Sequence, residues 1–278
     1  EKQKGLAYSI QSFLCNAGSL VGYFFPFVLA FIGISNVAEP GVVPDSVIYS
    51  FYAGAAILIL CVIYTSVKVK EMPPKEYAEF HGISAEQEKE KTNIFKLLAK
   101  APSAFWTVGL VQFFCWAAFM FMWTYTNGSI ALNVFDAPLN GTVLDTTSIQ
   151  YQEAGNWVGI YFAIQAVGSV LWAMVIPMFK NKKMAYIVSL VLGGIGFMSI
   201  FFIHDQYMLF VSFLLIGCAW AAMLALPFTI LTNALTGGHM GTYLGLFNGT
   251  ICIPQIVAAA LGGSILKMLT PEGGVAPE

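Results

Sequence analysis

Seven apolar stretches, each long enough to cross a bilayer as a helix, constrain this chain more than any other feature. At 1.5 Å per residue, about 20 residues span the ~30 Å of hydrocarbon in a membrane. The stretches run from Leu6 to Ile34, Val47 to Val67, Ala104 to Thr126, Trp157 to Phe179, Ala185 to Ile203, Tyr207 to Leu231 and Thr242 to Leu266. Polar or turn-forming residues separate them, among them Pro40-Gly41, Pro73-Pro74, Asn181 to Lys183 and Gly237-Gly238. Glycines and prolines inside the stretches suit membrane helices, where small residues allow close contact and neighbours satisfy freed backbone groups. Composition agrees: 58% of the 278 residues are apolar and 10% charged, with a mean hydropathy of +0.73. Soluble domains carry about 25% charged residues. The fold class is therefore an all-α membrane protein.

The charges are sorted by side. All 13 basic residues are lysines, which opposes nucleic-acid binding and bidentate phosphate clamping. Lys2 and Lys4 precede the first stretch, seven lysines from Lys68 to Lys100 follow the second, and Lys180, Lys182 and Lys183 follow the fourth. Only Lys267 falls on the other side. Positive charge marks the cytoplasmic side, so the N-terminus and residues 68–101 are predicted to be cytoplasmic, in a plasma (inner) membrane. A seven-helix receptor, with its N-terminus outside, does not fit this pattern. The opening without Met and the turn-like Thr270 to Gly274 suggest an internal piece of a larger bundle.

Ionisable chemistry is confined to the loops and ends. Every Asp and Glu lies there, including Asp136, Asp145, Glu153 and Asp205, and a charge at the bilayer centre costs about 2.5–3.5 kcal/mol on insertion scales. No nucleophile–base pair or histidine pair lies within a span, so neither an enzyme, a metal site nor a cofactor is predicted. The five cysteines are widely spaced in apolar sequence and are read as small buried hydrophobes. His81, His204 and His239 are read as solvated loop residues.

Neutral polarity inside the spans recurs at helical spacing. Gln112, Trp116, Trp123 and Asn127 share one face of the third stretch, and Tyr161, Gln165, Ser169 and Trp172 one face of the fourth. The seventh carries Gly241, Gly245, Asn248, Cys252 and Gln255. The first carries Tyr8, Gln11, Cys15, Ser19, Gly22 and Pro26, with Asn16 alongside. Lipid cannot hydrogen-bond an amide, so these faces should point into the bundle or a water-filled cavity. Two roles are open to each amide: glue between helices, worth on average about 0.6 kcal/mol, or contact with a polyhydroxylated ligand whose apolar ring face an indole covers. Pro26, Pro177, Pro227 and Pro254 are predicted kinks. Tyr49, Tyr125, Trp157, Tyr186 and Tyr207, near stretch ends, are predicted interfacial anchors, whereas Trp116, Trp123 and Trp220 lie deeper. Asn93 to Lys100 forms an amphipathic segment expected along the inner membrane surface. Asn127-Gly128-Ser129 and Asn140-Gly141-Thr142 match the glycosylation pattern.

Gly217-Cys218-Ala219-Trp220-Ala221, followed by Leu226-Pro227-Phe228-Thr229-Ile230-Leu231, resembles the tenth helix of the glycoside–pentoside–hexuronide symporters and the related sucrose transporters. Met240 to Asn248, ending in Ile253-Pro254-Gln255-Ile256-Val257, resembles their eleventh, Phe114 to Thr126 their seventh and Gly5 to Pro26 their fifth. The resemblance implies helices five to eleven of the twelve-helix major facilitator fold. Residues 1–67 would end the N-terminal half, 68–101 form the central loop, and 102–278 form the C-terminal half without its last helix. It further implies uptake of sugars or glycosides such as maltose or sucrose by alternating access, coupled to a proton or sodium bound outside this segment. The predicted substrate contacts are Gln11, Asn16, Gln112, Trp116, Asn127, Gln165, Asn248 and Gln255, with Gly241 and Gly245 assigned to close packing near the inner gate. An exporter or drug carrier of the same fold, or a non-transporting sugar sensor, are the competing readings.

Overall fold

The computed structural model describes residues 4–35, 42–70, 73, 76, 79–80, 93–141, 143–235 and 240–269. The elements are α1 (Lys4–Phe31), α2 (Asp45–Lys68), the short α3 (Ile94–Ala99), α4 (Ser103–Asn133), α5 (Ile149–Val175), α6 (Lys182–Ile200), α7 (Leu209–Ala234), α8 (Met240–Phe247) and α9 (Gly249–Leu269). A two-residue antiparallel ladder, β1 (Leu139–Asn140) with β2 (Val143–Leu144), folds the loop between α4 and α5. Among the described residues, seven helical spans are long and apolar enough to cross a membrane, α8 and α9 together making the last.

The bundle is built around α7, which packs on α5, α6, α1 and α4. Its sequence explains this position. Gly217 leaves no room for a side chain, because a methyl group there would run into the Gln165 carbonyl and the Ser169 nitrogen of α5. On the α6 side, a methyl group at Gly193 would strike Ala219, and one at Gly196 would lie 2.7 Å from the Ser212 carbonyl. Small residues bring membrane helices into van der Waals contact, and hydroxyls then bond across the seam. Ser169 Oγ donates to the Gly217 carbonyl at 2.7 Å, and Ser199 and Ser212 share a hydrogen bond of 2.7 Å. Trp172 Nε1 donates to Ser189 Oγ, also at 2.7 Å. Tyr161, Phe213, Ile216, Met223 and Leu226 fill the core between these contacts. By contrast, α2 packs chiefly on α1, and α9 chiefly on α4.

Helix starts follow capping chemistry. Side chains of Asn93, Ser148 and Asn181 accept from backbone N–H groups in the first turns of α3, α5 and α6, satisfying donors that a helix leaves open. Asp145 Oδ1 accepts from Thr147 Oγ1 at 2.6 Å and from its N–H at 2.9 Å, which holds this exposed carboxyl below the ordinary aspartate range.

Several expectations change. α4 continues seven residues beyond the apolar stretch that ends at Thr126, because Ile130 and Ala131 are buried in the core. Asn127, on the predicted helical face and in a glycosylation match, sits within α4. Asn140 is exposed on the hairpin, and Thr142 lies outside the described residues. The last span is interrupted at Asn248. Pro26, Pro227 and Pro254 lie inside helices, but Pro177 falls in the 3-10 turn Ile176–Met178 that ends α5. Tyr186 is not an interfacial residue; it is buried. Of the cysteines only Cys218 is buried, and Cys15, Cys61 and Cys252 are exposed. Most of the 68–101 loop, with His81, and the turn with His239 lie outside the described residues.

Candidate binding site

Four of the eight predicted contact residues converge on two turns of α7, Gly217–Met223. From α1, Ser12 Oγ donates to the Ala221 carbonyl at 3.2 Å. Asn16, one turn along, donates from Nδ2 to the Ser12 carbonyl at 2.7 Å. From α4, Gln112 Nε2 reaches the Met223 carbonyl at 3.5 Å, and one turn later Trp116 meets Trp220 edge to face at 5.4 Å between centroids. From α5, Gln165 lies where its backbone carbonyl presses on Gly217. All four predicted residues are buried.

Their hydrogen bonding is incomplete. Asn16 Oδ1, Trp116 Nε1, Gln165 Oε1 and, farther along α4, Asn127 Oδ1 are buried atoms without a hydrogen-bond partner. Such an atom ordinarily costs about 1–3 kcal/mol, and native structures hold few of them. In Asn16 the donor end is held by Ser12, so the free end is an acceptor by geometry rather than by choice of amide orientation. Gln112 is also weakly held. Besides the long bond to Met223, its Oε1 accepts from the Tyr186 hydroxyl at 3.4 Å, well beyond the ~2.8 Å usual for a hydroxyl donor. Tyr186 is the partner the sequence reading missed. The only signal was a tyrosine at i+4 from Lys182, which places it in the second turn of α6, where an anchoring role is the default.

The aromatic side of this region is a three-indole group. Trp123 and Trp220 lie 5.4 Å apart at 83°, Trp116 and Trp123 6.3 Å apart at 61°, and Phe119 stands 5.0 Å from Trp220. Trp123 is 38% exposed, so the group reaches from the core to an open surface. Next to it, α1, α7 and α8 enclose a cavity of about 310 Å³ lined by Tyr8, Gln11, Ser12, Cys15, Leu224, Phe228 and Leu244. That volume is at the lower end of small-molecule sites. A larger cavity of about 910 Å³ opens between the far ends of α4 and α6. It contains none of the predicted contact residues, and its lining is mostly aromatic and aliphatic.

The remaining predicted residues are not gathered with these four. Gln11 lines the smaller cavity. Asn127 faces Gly155 of α5, about three turns along α4 from Trp116. Asn248 is exposed at the α8–α9 break, and Gln255 is half-buried on α9; neither side chain forms a hydrogen bond among the described residues. A methyl group at Gly241 or Gly245 would meet nothing within 4 Å, so the described structure does not use them for close packing. Among the described residues no cluster of His, Cys, Asp or Glu could hold a metal ion, and no carboxylate lies deeper than the first turns of a span.

A bundle of seven apolar helices around a buried belt of neutral amides and indoles defines a multi-pass integral membrane protein that handles a small molecule. The Major Facilitator Superfamily profile matches residues 129–273, more than half of the chain, from the end of α4 through α9. No curated protein matches. The chain belongs to the major facilitator superfamily and is a membrane transporter of that superfamily.

Proposed function

We propose that this transporter takes up sugars or glycosides of the maltose or sucrose type by alternating access, with a coupling proton or sodium bound outside the residues described here. In this reading the chain supplies the fifth to eleventh of twelve helices. Residues 1–67 end the first half, 68–101 form a cytoplasmic central loop, and 102–278 belong to the second half. The observation that carries the reading is the set of unpartnered groups around Gly217–Met223. Asn16 Oδ1 and Gln165 Oε1 are acceptors and Trp116 Nε1 is a donor, with no charge among them and an indole group alongside. A hydroxyl both donates and accepts, so a sugar satisfies both kinds of atom, while its C–H face packs on an indole. A purely apolar cargo would leave all three groups unsatisfied, and a cationic one, which only donates, would leave Trp116 Nε1 unsatisfied, which disfavours the drug-carrier alternative. Coupling rests on resemblance alone, since a titrating carboxylate at membrane depth would have to come from other helices.

The test is uptake of radiolabelled maltose and sucrose by the full-length transporter in proteoliposomes, with and without a proton or sodium gradient. Accumulation against the sugar gradient, driven by either ion, is the expected result. Equilibration without accumulation would replace coupled transport by a uniporter, and binding without flux would favour the sensor.

A further inference from the structure

We propose that α3 is a docking element for anionic lipid headgroups, carrying Lys96 and Lys100 and packed against the start of α4, the end of α7 and α8. This goes beyond the sugar reading and does not depend on it.

The helix is two-sided. Leu97 and Leu98 pack inward against a cluster of Phe105, Leu231, Leu235, Tyr243 and Phe247, and the Tyr243 hydroxyl of α8 donates to the Leu97 carbonyl at 3.0 Å. Asn93 fixes its start by accepting from the Phe95 and Lys96 N–H groups. On the other side Phe95 is 83% exposed and Ile94 49%, with Lys96 and Lys100 exposed next to them and no acidic residue in the helix.

Position decides what covers that face. Three residues separate the end of α3 from the start of α4, and α3 touches the end of α7 and the start of α8, so it lies where three spans leave the bilayer on one side. Lys68 and Lys70, at the end of α2, belong to the same lysine-rich side of the chain. An apolar edge flanked by lysines at that depth fits acyl chains below and anionic headgroups around it. A second polypeptide would instead need acidic groups to meet both lysines and an apolar pocket for Phe95.

The test replaces Phe95 by p-benzoylphenylalanine in the full-length transporter, a change at an exposed position that leaves the packed Leu97–Leu98 side intact. The protein is reconstituted in phosphatidylcholine vesicles with and without phosphatidylglycerol, illuminated, and its adducts are weighed by mass spectrometry. Lipid adducts are expected, enriched in phosphatidylglycerol over its share of the vesicle by up to about fivefold per lysine, from the ~1 kcal/mol that a lysine contributes at an anionic surface. The enrichment should vanish when Lys96→Gln and Lys100→Gln are added. Lipid adducts in the ratio of the vesicle with lysines present would overturn the charge recognition. Adducts to residues 71–92 of the chain or to a second polypeptide, or none at all, would overturn the docking.

Discussion

α7 and the α8–α9 span look alike in sequence, yet the fold treats them as opposites. Both are apolar, both hold an internal proline, and both carry small residues at helical spacing, Gly217, Ala221 and Ala225 in one and Gly241, Gly245 and Gly249 in the other. In α7, 67% of the most apolar 18-residue window is buried, against 17% in α8–α9. Gly217 of α7 is pressed onto the backbone of α5, whereas Gly241 and Gly245 of α8 face open space. The exception on the outer span is Gly262 of α9, where a methyl group would come within 2.6 Å of the Tyr125 hydroxyl of α4. A small-residue stripe therefore marks a surface that can be approached closely. It does not say whether the approaching surface belongs to the same segment of chain.

The largest effect should come from filling the tightest seam. Gly217→Val places branched carbons against the Gln165 carbonyl and the Ser169 nitrogen, both backbone atoms that cannot swing aside. Overpacking costs about 1–3 kcal/mol in forgiving cores, and more where backbone must move. We expect a loss at or above the top of that range, read as a lower unfolding midpoint of the full-length protein in detergent. A midpoint equal to the parent's would break the picture of α7 as the rigid axis.

The next comparison concerns function. Trp116→Ala removes an indole from the group around Trp220, together with a buried donor. We expect KM for the transported solute to rise about tenfold, equivalent to about 1.4 kcal/mol of lost binding. Asn248→Ala, at an exposed position, should change it by less than about twofold, the size of an ordinary surface substitution. Equal losses in both would mean that the α8–α9 stripe faces the transported solute as closely as the α7 belt does.

Smaller again is Ser169→Ala. It removes the 2.7 Å bond to the Gly217 carbonyl but leaves the glycine contact in place. Interhelical hydrogen bonds in membranes average about 0.6 kcal/mol, so the midpoint should fall slightly and uptake should hold. A fall as large as that of Gly217→Val would show the hydroxyl, rather than the close backbone approach, to be what joins α5 to α7.

The spans were legible because bilayer thickness imposes a length that few other constraints produce. Their ends were less so. The third apolar stretch reads as ending at Thr126, yet Ile130 continues the buried face of α4 to Asn133, because its burial holds the helix beyond the run of apolar residues. The stripe of α5 was legible: Tyr161, Gln165 and Ser169 are buried together. The stripe of α1 was half legible, since Gln11 and Cys15 line an open cavity while Ser12 and Asn16, one residue round the helix, are the buried pair at α7. Periodicity gives a face but not its azimuth, and only the neighbouring helix fixes that. Tyr186 failed for a related reason. Its place in the second turn of α6 fits an anchor at a membrane surface, and only the path of α4 past α6 shows that its hydroxyl reaches Gln112.

The smallest predicted effect is the one that most sharpens the contrast between the two spans. Gly245→Ala adds a methyl group where nothing lies within 4 Å. Alanine is favoured over glycine in a helix interior by about 0.8–1.0 kcal/mol, so the full-length transporter should be unchanged or slightly stabilised. Gly241→Ala, one turn earlier, should behave the same way. If the stripe lines a cavity or meets lipid, both substitutions stay silent in stability. Should another helix of the full-length protein press on it as α5 presses on Gly217, each would instead lower the unfolding midpoint, and the two spans would prove alike after all. Measuring Gly245→Ala beside Gly217→Ala in the same preparation separates these cases, because both exchange the same atoms and differ only in what the new methyl group meets.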